Sequence, residues 1–156
     1  MKRRGLWAVG IAALASVGSL AVDKAYGGGK EGICTLATLD GQYPFAGSGT
    51  LFPPAFGVTS PSTAASAGYH IFNGDGTGTD FVTFTVNGID QHVPSPVPIT
   101  YTLNSDCTGT YSVQNGPNFD IFVAVDGSGL SVIVTDQGVS FSEGPNSRVG
   151  PSKRVE

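Results

Sequence analysis

The chain has 156 residues, of which 13% are charged and 40% apolar, with 23 Gly, 10 Pro, 2 Cys and a formal net charge of -4. That length fits one domain, or one domain behind a targeting segment, and the apolar content is enough for a core, which excludes wholesale disorder. The low charge content excludes a coiled coil or a long solvent-exposed helix.

The charges are segregated. Lys and Arg occur only as Lys2, Arg3, Arg4, Lys24 and Lys30 near one end and Arg148, Lys153 and Arg154 near the other. Between them lie Glu31, Asp40, Asp75, Asp80, Asp90, Asp106, Asp120, Asp126, Asp136 and Glu143. An acidic field of this kind repels phosphate backbones and anionic headgroups, so neither nucleic acid nor an anionic membrane surface is an expected partner. Burying an unpaired carboxylate is costly, so most of these acids are expected in turns facing water.

The first segment reads as an address. Lys2-Arg3-Arg4 forms a positive n-region, Gly5 to Val22 is apolar, and Ala25-Tyr26-Gly27 supplies small residues for cleavage. Residues 1–27 are therefore assigned to a signal peptide, with an N-terminal membrane anchor as the alternative; Arg3-Arg4 also fits a twin-arginine signal, and Sec export is preferred. Secreted or periplasmic localisation follows, with no stable membrane insertion after cleavage. In an oxidising compartment Cys34 and Cys107 read as one disulfide rather than as a catalytic or metal-binding pair, since neither CxxC spacing nor a nearby His is present.

Strand-length runs with period-two alternation follow, punctuated by Gly, Asn and Asp. Gln42 to Phe52 puts Tyr43, Phe45 and Leu51 on one face. Pro53 to Ala65 is a lid or a long connection. Ser66 to Phe72 sets Ala67, Tyr69 and Ile71 inward against Ser66, Gly68 and His70, with Phe72 a large exception on the polar side. Asn73-Gly74-Asp75-Gly76 turns the chain into Thr79 to Asn87, where Val82, Phe84 and Val86 share a face, and Asn87-Gly88 is a hairpin signal. After the Pro-rich Val93 to Pro98, the inward candidates are Ile99, Tyr101 and Leu103, then Tyr111 and Val113, then Phe119, Ile121, Val123 and Val125. Beyond the Asp126-Gly127-Ser128-Gly129 turn come Leu130, Val132 and Val134, and finally Val139 and Phe141.

This pattern predicts an all-β fold, a single antiparallel up-and-down barrel of about eight strands over residues 28–147, with a flexible basic tail at 148–156. Closing the sheet removes edges that no Lys guards. A Greek-key sandwich is the alternative, using the longer loops as crossovers. The polar outward faces argue against a lipid-facing barrel.

Two segments carry a resemblance. Tyr69-x-x-Phe72-Asn73-Gly74-Asp75-Gly76, and Tyr101-Thr102-x-Asn104-x-Asp106-Cys107-Thr108-Gly109-Thr110, resemble signatures of uncharacterised exported bacterial proteins with an FDGxG-type turn and a Y-T-x-N-x-D-C-T-G-T segment. Asn73 stands where the first turn usually has Asp. The resemblance spans most of the chain after residue 27 and implies a shape similar to lipocalin-like (calycin) and allene-oxide-cyclase-like barrels, which hold small apolar molecules; it implies no activity.

Catalytic motifs are missing: no GxSxG, HExxH or Cys/His cluster occurs. His70 and His92 read as solvated histidines, and Gly74 to Asp80 as an Asp-Gly turn rather than a calcium loop. No metal, cofactor or catalytic residue is assigned. The candidate ligand-lining set is Tyr43, Phe45, Tyr69, Phe84, Tyr101, Tyr111, Phe119 and Phe141, which either pack a solid core or surround a small hydrophobic molecule. Three functions fit: a container for such a molecule, a filled barrel whose acidic loops meet a protein partner, or a cofactor-independent cyclase or isomerase. A binding role is preferred to an enzymatic one.

Overall fold

The computed structural model describes residues 33–150. The segment read as a signal peptide, and residues 151–156 of the basic tail, lie outside the described residues. Nine strands follow in chain order: β1 (Asp40–Leu51), β2 (Ser62–Asn73), β3 (Thr77–Val86), β4 (Ile89–Asp90), β5 (Val97–Leu103), β6 (Thr108–Val113), β7 (Asn118–Val123), β8 (Gly129–Val134) and β9 (Val139–Ser147). Every pairing between them is antiparallel. The sheet runs β2-β1-β9-β8-β7-β6-β5-β3 and closes through β2–β3, so eight strands form an up-and-down barrel and the Greek-key alternative is set aside. Asn87-Gly88 does turn the chain, but its product is only the two-residue β4. In the segment that follows, Pro94 and Pro96 supply no N–H to extend a ladder.

Period-two burial makes the barrel. Phe119, Ile121 and Val123 of β7 are buried while Asn118, Asp120 and Phe122 are exposed, and Leu130, Val132 and Val134 repeat the pattern on β8. Fully burying each such side chain contributes about 1.5–3 kcal/mol. Tyr101, Tyr111 and Phe119 stand opposite one another on β5, β6 and β7, and the Tyr111 and Phe119 rings stack 4.2 Å apart. Such cross-strand aromatic pairs fix the register.

The antiparallel order puts the β2–β3, β5–β6 and β7–β8 turns at one end of the barrel, which the segment before β1 covers. Cys34 is bonded to Cys107 of the β5–β6 turn, as expected, and Cys34 N donates to Ser105 O. Leu39 is fully buried beneath. The Tyr101 hydroxyl faces the carbonyls of Leu36 and Leu39 at 2.8 and 3.0 Å, and the Tyr43 hydroxyl donates to Gly127 O at 2.7 Å. Gly127 has φ +65°, and a Cβ there would strike the Thr38 carbonyl, so only glycine serves. Arg148 N donates to Ser128 O, and Val149 pairs with Gln42, fastening the start of the basic segment to the same end.

One strand faces the other way from the sequence reading. Ser62, Ala64, His70 and Phe72 of β2 are buried, whereas Tyr69 lies on the opposite face, its ring stacked on Phe81 at 4.6 Å. A shift of one residue exchanges the two faces of a strand. Phe72, the exception in the sequence pattern, reports the true inward register: its ring meets Tyr43 and Tyr101 edge-on at 5.6 and 5.1 Å.

Candidate functional site

The end opposite the disulfide carries the longer loops, and there the barrel is not filled. A cavity of about 370 Å³ opens between Phe56 of the β1–β2 loop, Val93, Pro94 and Pro96 of the proline-rich segment, and Gly116 and Pro117 of the β6–β7 turn. Its wall includes Phe45, Leu51, Val82, Phe84, Tyr111, Phe119, Val134, Val139 and Phe141. Inward residues sit at alternate positions of neighbouring strands, so these apolar side chains line one continuous surface.

Five of the eight sequence-selected residues, Phe45, Phe84, Tyr111, Phe119 and Phe141, lie on this wall. Tyr43 and Tyr101 are buried at the closed end, their hydroxyls committed to backbone carbonyls. Tyr69 is on the outer face.

The sequence reading missed a buried polar group beside this wall. His70, read as solvated, is 0% exposed. Its Nδ1 lies 2.6 Å from Asp80 Oδ1 and its Nε2 lies 3.0 Å from Glu143 Oε2. Asp80 and Glu143, expected in solvent with the other acids, are buried and both line the cavity. Each ring nitrogen faces a carboxylate oxygen, an arrangement that a cationic ring satisfies by donating from both nitrogens. Burial pulls the imidazole pKa down, but the hydrogen bonds from the ring to Asp80 and Glu143 outweigh it and raise the value to about 9. Phe45 stacks on the ring at 4.3 Å and 11°, and Tyr111 meets it edge-on at 5.3 Å. Burial, with Glu143 and Asp80 nearby, pushes the Tyr111 hydroxyl well above its ordinary pKa, so it stays protonated.

Local sequence accounts for the arrangement. Asp80 is directly opposite His70 in the β2–β3 ladder. Glu143 is two strands away on β9 and must pass over β1 at Gly47, which pairs with both Glu143 and Ser66. A Cβ on Gly47 would lie 2.7 Å from Glu143 Cγ and 2.6 Å from Phe141 Cε1. Ser66 lines the cavity too, and its hydroxyl oxygen is buried without a hydrogen-bond partner. A signal for the group was present: Asp80 shares the face of Val82 and Phe84, and Glu143 that of Val139 and Phe141. With no Lys or Arg between residues 30 and 148, only a histidine could pair with them.

The other titratable candidates are peripheral. His92 has an 88% exposed side chain, 3.3 Å from Asp90. Asp75, Asp106 and Asp126 each accept from the side chain or backbone two residues on, and these bonds hold their carboxyls below the usual range. These are turn-forming carboxylates. No protein-family model, curated protein or solved structure matches the chain.

Proposed function

We propose that this protein is an exported barrel that holds a small, largely apolar molecule in its interior. The observation that carries the reading is the cavity of about 370 Å³ at the end opposite the disulfide, walled by Phe45, Phe84, Tyr111, Phe119 and Phe141. Volumes of this order suit small ligands, and an apolar wall with a few placed polar groups is the usual composition of such sites. The Cys34–Cys107 disulfide is consistent with an oxidising compartment, and the positive n-region with its apolar stretch supports export. The resemblance to lipocalin-like and allene-oxide-cyclase-like shapes supports the same role by analogy of fold.

The test is native mass spectrometry of the purified protein, combined with displacement of the neutral dye N-phenyl-1-naphthylamine. Saturable uptake of one dye per chain is expected; no uptake rejects the reading.

A second reading is favoured by one observation, the two carboxylates on the cavity wall. In it the barrel confines a flexible substrate while Asp80 or Glu143 moves a proton, making the protein a cofactor-independent cyclase or isomerase. Chromatography of ligand recovered before and after incubation separates the two: a container returns it unchanged.

A further inference from the structure

The cavity has a charge as well as a shape. One imidazole faces two carboxyl groups, so even a cationic ring balances only one of two carboxylate charges. Asp80 gives Oδ1 to the ring and Glu143 gives Oε2; among the described residues, no hydrogen bond is donated to the second oxygen of either. Both residues border the cavity, and both are at least 95% buried. Unbalanced charge in a poorly hydrated wall is costly, and a cation brought within reach of it relieves that cost.

We propose that the cavity selects organic cations, an apolar body bearing one ammonium group that donates to the free carboxylate oxygens of Asp80 and Glu143. This rests on the reading of the barrel as a container and names the class of its contents. Three further features fit an ammonium group. Ser66, across Gly47 from Glu143, has a hydroxyl oxygen without a partner and can accept from it. Phe45, Tyr111 and Phe141 line the same cavity, and aromatic rings attract a cation brought over their faces. An anionic ligand would find no Lys or Arg beside it: among the described residues Arg148 supplies the sole such side chain, and it sits at the closed end, where Nη1 donates to Asp40 O.

The experiment compares decylamine, decanol and decanoate, equal in chain length and different in charge, by isothermal titration calorimetry of the whole protein at neutral pH. One decylamine per chain is expected to bind about tenfold or more tighter than decanol, with decanoate weakest, because hydrogen bonds to charged partners are stronger than neutral ones. Glu143→Gln is expected to remove about tenfold of the amine preference over decanol. The three-probe comparison on the unaltered protein decides the matter even where that variant does not fold. Decanol or decanoate binding as tightly as decylamine overturns the cation assignment and leaves the container intact. Binding of none of the three overturns both.

Discussion

Glu143 reaches His70 across an intervening strand: Glu143 Oε2 lies 3.0 Å from His70 Nε2, although β1 separates β9 from β2. The path is open because Gly47 has no side chain, and a Cβ there would lie 2.7 Å from Glu143 Cγ. Gly47→Ala is therefore expected to destabilise the barrel by about 1–3 kcal/mol, the usual cost of overpacking. Gly144→Ala is the control, since nothing lies within 4 Å of its added Cβ. Urea denaturation should place the control within about 0.5 kcal/mol of the parent. Equal effects at the two positions would contradict the packing argument.

Removing the imidazolium alone should be more damaging than removing the whole group. His70→Leu leaves Asp80 and Glu143 buried without their cation, a loss expected to cost about 3–5 kcal/mol. The triple variant His70→Leu, Asp80→Asn, Glu143→Gln deletes the charges together and should unfold at higher denaturant than the single variant. Chemical denaturation of both decides it, and a triple variant weaker than the single one counts against a balanced ionic group.

Stability should also fall with alkali in a defined window. The folded-state pKa of His70 is raised to about 9 from an ordinary 6.5: burial opposes the charge, but Asp80 and Glu143 more than compensate. A raised pKa means the folded state binds the proton more tightly, so the contribution is complete below about pH 6.5 and lost as pH rises through about 9. The loss amounts to about 3 kcal/mol. Burial also pushes Tyr43 up to about 12, so tyrosines add a similar loss only above about pH 10. Denaturation curves between pH 6 and 9 test the window; a flat profile there would mean the ring is not held as imidazolium.

The disulfide closes a separation of 73 residues and pins the segment that covers the closed end. Replacing Cys34 and Cys107 together by Ala is expected to cost about 4 kcal/mol in the chain-entropy account. Thermal melting with and without reductant gives the same comparison without mutation. An unchanged melting temperature on reduction would show that Tyr43, Tyr101 and Leu39 hold that end unaided.

The barrel was legible because β7 and β8 alternate cleanly and short Asp-Gly and Asn-Gly turns join successive strands. The disulfide was legible because two cysteines behind a predicted export signal have one simple pairing. The orientation of β2 was not, because Ser66 to Phe72 carries apolar residues on both faces, and Tyr69 and Ile71 outvote Phe72 in a periodicity count. Small Ala64 and Ser66 leave room inside, while Phe81 shelters Tyr69 outside, and neither relationship is local in sequence. The buried ionic group escaped for a related reason. A histidine between Tyr69 and Ile71 looks solvated until Asp80 and Glu143, 10 and 73 positions away, are seen to face it.

The most direct test of an open, ligand-accepting interior uses a single tryptophan in the cavity wall. The described residues contain no Trp, so Phe84→Trp in a Trp7→Phe background places one indole on the wall of the cavity. Titration with N-phenyl-1-naphthylamine should quench that indole by energy transfer, saturate at one dye per chain, and reverse when decylamine is added. Dye that leaves the indole emission unchanged while the variant remains folded would contradict the account.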